Sequence, residues 1–387
     1  MGNQPKLTVN SSQIEDQLRV AATDYVVFDK TDVDNLEMFD YDITPDEFET
    51  LAVNAQKTMG KLFLSMLLMP LFISVCSCSS GNNKNENKEN GQTTGNGDQA
   101  KVYFTREITP EALMKVYRAL GRDAKGNNVA IKVSTGEPGG HNYLKPALIG
   151  DFVKSVNGTI IECNTAYDGK RAGTEDHLKA ARDHGFMDIT NVDIMDAEAE
   201  VKLPVTGGKW LTRDIVGKNY LNYDFTVVLS HFKGHAMAGF GGAIKNMSIG
   251  IASANGKRLI HSGGTSTENW GEPTQEQFLE AMAEAAKAVA NHAGEKIIYI
   301  SVMNNLSVDC DCDSSPADPE MHDVGILASL DPVALDKACV DLVYASTDHG
   351  KIHLIERMES RNGIHAVIHA EKIGMGSQKY ELVELEK

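Results

Sequence analysis

The stretch Phe225–Asn246 reads FTVVLSHFKGHAMAGFGGAIKN, and it decides the fold. Phe225–Ser230 is a nearly unbroken apolar run, as expected of a strand covered on both faces by other layers. The run gives way to a glycine-rich loop and then to the start of a helix. Open α/β sheets gather their ligands at such strand ends. The glycines allow close backbone approach, and the helix start is expected to offer free N–H groups to an anion.

Outward from this stretch, strand and helix patterns alternate. Upstream, Val102–Phe104 reads as a strand, followed by a helix from Pro110 to about Leu120 with Thr109 as N-cap and Gly121 as its stop. Asn128–Val133, Gly158–Cys163 and Val192–Met195 read as short strands, with helical patterns over Tyr143–Val156 and Glu175–His184. Downstream, Thr274–His292 is the clearest helix. Phe278, Met282, Ala285 and Val289 share one face, Thr274 and Gln277 have capping-box spacing, and Gly294 ends it. Strands at Lys296–Met303 and Gly325–Ser329 precede a helix over Pro332–Tyr344 with proline in its first turn. Strands separated by helices of about ten residues or more predict an α/β fold, a largely parallel sheet with helices on both faces.

The chain has 387 residues, 42% hydrophobic and 24% charged, enough to bury a large core. Lys plus Arg number 37 against 54 acidic residues, and a net charge of −17 argues against nucleic acid as a partner. Six cysteines in this length do not make a disulfide-dense scaffold. No apolar run approaches the roughly 20 residues of a membrane-spanning helix.

The first hundred residues differ in kind. Leu62–Val75, LFLSMLLMPLFISV, follows Lys57 and Lys61 and leads into Val75-Cys76-Ser77-Cys78. Basic, apolar and small residues in that order describe a secretory signal peptide, here over 59–77. Its end looks like a bacterial lipobox. Cys78 is therefore the expected lipidation site, and the bacterial cell envelope (periplasmic or outer-membrane face) the expected location. Residues 78–100 form a polar stretch without apolar periodicity, expected to be a disordered tether. Residues 1–58 are an acidic extension with twelve acidic and four basic side chains, −8 of the −17, which translation from Met59 would leave out. The α/β domain is expected over 101–387, as one body or as two lobes split near 265–275.

Residues that carry chemistry concentrate in two segments. The first places His231, Lys233, His235 and Lys245 among Gly239, Gly241 and Gly242. Imidazoles beside amines on one strand-end loop bind metal, hold a carboxylate or move protons. His231, His235 and Lys245 are the candidate catalytic groups, with Lys233, Gly239, Gly241, Gly242 and Asn246 as candidate anion-binding residues. No GK[ST] is present, so this is not a Walker loop. The second segment is Asp309–Pro319, DCDCDSSPADP, just past the strand at Lys296–Met303. Carboxylates flanking the sulfurs would raise the thiol pKa values, which favours metal ligation over an unassisted nucleophile. Cys310 and Cys312 are the candidate metal ligands. A disulfide or redox thiol and a structural turn are the alternatives, and a bond between these two cysteines is disfavoured by their spacing. Cys163 and Cys339 read as buried small hydrophobes. Both segments leave predicted strand ends, so they are expected to meet in space.

Four runs, VVLSHFKGHAMAGFGGAIKNMSIGIAS, CDCDSSPADP, DVGILASLDPVALDKACVDLV and AEKIGMGSQKYELVEL, resemble in order the family called domain of unknown function 362. The resemblance spans roughly Lys101 to Leu385. Some members are labelled iron–sulfur centre proteins, which makes a transition metal or an iron–sulfur cluster the suspected cofactor. Many relatives carry a ferredoxin insert with C-x2-C-x2-C-x3-C-P runs between the glycine-rich loop and the long helix. Ser248–Glu276 contains no cysteine here, so the ground for two such clusters is missing.

The run from His235 through Gly239, Phe240, Gly241 and Gly242 to Lys245 is also similar to a motif of nickel-pincer lactate racemases. There a His, a Lys ten residues on and a later His work around the cofactor. Lys245 stands ten after His235 and His261 sixteen further, although the GGAIK run departs from the racemase spacing. This resemblance implies a catalytic role for His261, and substrate binding by Asp168 and Arg171 in the loop after GTIIEC.

Taken together, the sequence points to an exported, lipid-anchored, metal- or cluster-dependent enzyme of redox or proton-transfer type, an oxidoreductase or isomerase, acting on a small anionic molecule. The alternative is a metal- or anion-binding envelope lipoprotein without turnover.

Overall fold

The computed structural model describes residues 99–386. The acidic extension, the signal-like segment, Cys78 and nearly all of the expected tether lie outside the described residues. In chain order the elements begin with β1 (Ala100–Thr105), α1 (Pro110–Ala119), β2 (Val129–Lys132), α2 (Pro146–Ser155), β3 (Gly158–Glu162), α3 (Thr174–Asp183) and β4 (Val192–Ile194). They continue with β5 (Glu200–Pro204), β6 (Arg213–Gly217), β7 (Phe225–His231), β8 (Lys233–His235), β9 (Gly239–Gly241), α4 (Ala243–Ile251) and α5 (Ala254–His261). The last are α6 (Gln275–Ala293), β10 (Ile297–Met303), β11 (Gly325–Ser329), α7 (Pro332–Ala345), α8 (Lys351–Ser360), α9 (Ile364–Lys372) and β12 (Tyr380–Glu384).

One eight-stranded sheet has the order β12-β1-β11-β10-β7-β2-β3-β4. Its pairs are parallel except those of β11, which runs against both β1 and β10. The fold is therefore the α/β class with a mostly parallel sheet and flanking helices that the sequence predicts. The hairpins β5–β6 and β8–β9 form separate two-stranded sheets.

The burial of β7 explains its apolar run. Val227 and Leu229 pack on one face with Ile131, Ile300, and Leu113 and Phe152 from α1 and α2. Val228 packs on the other with Tyr299, and with Met247 and Ala338 from α4 and α7. Each fully buried side chain of this kind contributes about 1.5–3 kcal/mol. Every residue of β7 is buried, so the pattern shows no polar alternation.

The long helix α6 behaves as its periodicity predicts, packing Phe278, Met282 and Ala285 against Leu259 and Ile260 of α5. Thr274 accepts from Gln277 N at 3.2 Å. Gln277 Nε2 donates to Gly263 O at 3.2 Å. Among the described residues no helix is long and apolar enough to cross a membrane.

Because β2, β3, β7 and β10 are mutually parallel, their carboxyl ends open on one rim of the sheet. The segments that follow them supply the site.

Candidate functional site

A cavity of ≈460 Å³ lies at that rim. Lys132, Glu162 and His231 close β2, β3 and β7, Arg171 follows β3, Lys233 follows β7, and Cys310, Asp311 and Cys312 come after β10. The two segments singled out in the sequence thus meet.

The joint between them is Asp311. Its carboxylate lies 2.9 Å from His231 Nδ1 and accepts from Lys233 Nζ at 2.7 Å. Burial alone would raise its pKa, but His231 and Lys233 hold it well below the usual carboxylate range. His231 Nε2 lies 2.6 Å from Asn304 O. Both ring nitrogens therefore face oxygen atoms, and these contacts tie the ring to the rim.

A second buried network lies under the cavity. Lys132 Nζ donates to Glu162 Oε2 at 2.9 Å, and Thr135 N to Glu162 Oε1 at 2.9 Å. Arg171 Nε donates to Glu137 Oε2 at 2.8 Å and its Nη1 lies 3.6 Å from Glu162 Oε1. Burial pushes Glu162 up, yet Lys132, His177 and Arg171 outweigh it and leave the carboxyl at about 2. Lys132, Glu162 and Glu137 escaped the sequence reading. For Lys132 and Glu162 the signal was a charged residue closing an otherwise apolar strand, as in VAIK and GTIIE, whereas Glu137 lies in a loop with no such mark.

Lys245 and Lys257 differ from the other lining cations. Among the described residues Lys257 Nζ donates to Ala252 O alone, at 2.6 Å. Lys245 makes no hydrogen bond or ion pair among the described residues, and its amine is pushed down to about 7 by burial and then by Lys233. Lys132, Arg171, Lys233, Lys245 and Lys257 line the cavity against the two carboxylates Glu162 and Asp311. The surplus is positive.

His235 and His261 line it as well, in opposite tautomers. His235 Nδ1 accepts from Met237 N at 3.1 Å and Ala238 N at 2.9 Å, so the neutral ring carries its proton on Nε2. Burial, then Lys245 and His261, hold its pKa well below the ordinary value. His261 Nδ1 lies 2.7 Å from the acceptor Lys257 O, so its proton is on Nδ1 and Nε2 keeps a lone pair. Burial lowers this ring to about 4. The cavity thus holds one imidazole as donor and one as acceptor.

Several expectations are corrected. The start of α4 is not free for an anion, because Asp336 already accepts from Ala243 N at 2.6 Å and Ile244 N at 2.9 Å. A Cβ on Gly242 would lie 2.4 Å from Asp336 Oδ1, so that glycine serves this buried cap. Asn246 spends Nδ2 on Lys132 O, Leu229 O and Ser230 Oγ, tying β2 to β7. Asp168 is exposed and Gly239 buried, and both are absent from the cavity lining. Gly239 instead adopts φ +78° where a Cβ would lie 2.9 Å from Gly363 Cα. Gly241 does line the cavity, beside Lys233 and Lys245.

Cys310 and Cys312 are joined in a disulfide, the pairing that their spacing disfavoured. A turn in which Asp313 N donates to Cys310 O brings their Cα atoms to 5.2 Å, within the usual range. Their sulfurs and a His235 ring nitrogen lie within 4.8 Å of one another. Only the reduced pair would offer thiolates. Cys163 and Cys339 are buried and free.

Fold and site define an α/β protein with a cationic, imidazole-bearing cavity at the carboxyl ends of a mostly parallel sheet. The chain belongs to the family described as Domain of unknown function (DUF362), whose model matches residues 129–341. Among solved structures it is similar to the lactate racemase apoprotein from Thermoanaerobacterium thermosaccharolyticum, at 17% identity and TM-score 0.38, over 64% of this chain and 57% of that one. It is also similar to a structural-genomics protein from Thermotoga maritima, at 9% identity and TM-score 0.34, over 68% of this chain and 58% of that one. The chain thus spans less than two thirds of either structure. No curated protein matches it.

Proposed function

We propose that the cavity is the active site of an enzyme that moves a proton on a small anionic substrate, in a protein held at the cell envelope by lipid on Cys78. One observation carries the catalytic part: Lys245 and Lys257 line the cavity without a carboxylate ion-pair partner among the described residues. An anion supplies the missing charge. The Lys245 amine, at about 7, divides between its two protonation states near neutrality, the condition for a general acid–base group. Neutral His235 donates Nε2–H to an oxygen on which charge develops, and His261 Nε2 accepts. The polar tether and lipobox-like segment support the location, and palmitate labelling of wild-type protein against Cys78→Ser tests it.

The catalytic reading is tested by proton NMR. A panel of 2-hydroxy carboxylic acids in heavy water should include one that loses its C2 proton signal with wild-type protein and keeps it with Lys245→Met. Exchange that survives in Lys245→Met would sink this assignment.

A metal-dependent form is the second reading, favoured by His261. Its Nδ1–H on a backbone carbonyl and its open Nε2 are the arrangement of a metal-ligating histidine. The unpartnered Lys245 amine suits a group carried on that lysine, as the racemase-like spacing implies. When bound, such a group would supply a Lewis-acidic centre. His235 does not fit as a ligand beside the two sulfurs, because its acceptor nitrogen is already taken by two amides.

A further inference from the structure

The cavity is larger than a two- or three-carbon acid needs, since ≈460 Å³ is in the range that encloses drug-sized ligands. Its lining also changes character from floor to mouth. The cations Lys132, Lys233 and Lys257 are buried and Lys245 half-buried, whereas Met237 and Trp270 are 44% and 39% exposed. Both side chains line the cavity while staying partly in water, so a ligand reaching them would cover apolar surface.

Trp270 is held in position. Its ring meets the His261 ring edge-on with centroids 5.0 Å apart, and His261 stacks on Phe278 at 4.8 Å. Its neighbour Gly271 has φ +59°. Met237 is held from the other side, where its carbonyl accepts from Gln275 Nε2 at 2.7 Å. A flexible thioether and a fixed indole together accommodate a flat apolar group.

We infer that the ligand is a carboxylate bearing an aryl group, with the carboxylate at Lys245 and Lys257 and the ring between Met237 and Trp270. This rests on the anion-binding reading above and names its substrate class. Cationic floor and apolar mouth each select one end of such a molecule. An acid without the ring leaves Trp270 and Met237 in water.

The test is calorimetric titration of the full chain with acetate, butyrate and 4-phenylbutyrate. Wild-type protein should bind 4-phenylbutyrate at least tenfold tighter than butyrate. Trp270→Ala, and separately Met237→Ser, should cut that ratio to about threefold or less while leaving acetate affinity within twofold. Both side chains are half-exposed, and two variants guard against misfolding of one. A ratio near one in wild type, or a ratio unchanged in both variants, overturns the inference. If acetate still binds and weakens in Lys245→Met, anion binding at that lysine stands alone. If no carboxylate binds at all, that binding and the aryl pocket fail together.

Discussion

Asp311 Oδ2 lies 2.7 Å from Lys233 Nζ, joining residues 78 apart in the chain. The same carboxylate holds His231, so one buried anion closes the rim formed by the segments after β7 and β10. Asp311→Asn should cost about 3–5 kcal/mol, because it strands an ammonium and an imidazole out of water. Urea unfolding measures this, and a loss under about 1 kcal/mol would refute it. The pH sign is also set. The folded carboxyl titrates below 3.8, so its contribution is present above that value and is lost as pH falls toward the folded one. The variant should lack this part of the acid limb.

Lys245 gives a pH signature of the same sign in a higher window. Its folded value of about 7 lies below the ordinary 10.5, so between these values the unfolded chain binds a proton that the folded chain does not. Stability should rise with pH across that window, and Lys245→Met should flatten the rise. Acetate binding should move the other way, weakening by up to about tenfold per pH unit above 7 as the ammonium is lost. Binding constants at pH 6, 7 and 8.5 would check both the direction and its disappearance in the variant.

Nitrogen-15 NMR should find the two cavity imidazoles in different neutral tautomers, proton on Nε2 in His235 and on Nδ1 in His261. His261 should stay neutral on acidification until about pH 4. Titration of either ring near 6.5 would contradict the hydrogen bonds described.

Gly242→Ala tests the buried cap. The added methyl would meet Asp336 at 2.4 Å, and overpacking at a fixed backbone costs about 1–3 kcal/mol. Gly241→Ala is the control, since its nearest neighbour would be Lys245 Cδ at 3.5 Å. Thermal unfolding should separate the two, with the Gly241 variant near wild type.

Reduction of the full chain should release two more thiols than denaturation alone, from Cys310 and Cys312. So short a loop removes little chain entropy, and Cys310→Ser with Cys312→Ser should cost only about 1–2 kcal/mol. A thiol assay and a melt suffice.

The sheet was legible because β7, β10 and β11 are buried along their whole length and mostly apolar, and α6 because one face repeats every three to four residues. The hairpins β5–β6 and β8–β9 were not. Their strands are short, charged or glycine-rich, and depend on partners elsewhere in the chain. His231, His235, Lys245 and His261 were legible as a group, but not their tautomers, which follow from backbone amides and carbonyls. The cap on α4 was hidden for a similar reason. Asp336 lies 93 residues from Ala243, and nothing local to the glycine-rich loop announces that its helix start is already taken.

β7 has four strands on one side and three on the other, and it ends in His231. Its amides should be among the slowest in the molecule to exchange with deuterium, opening only when everything opens. Guest recognition and structural integrity would then share a single melting midpoint. Sequence drift at the mouth could retune what enters without loosening the mould beneath.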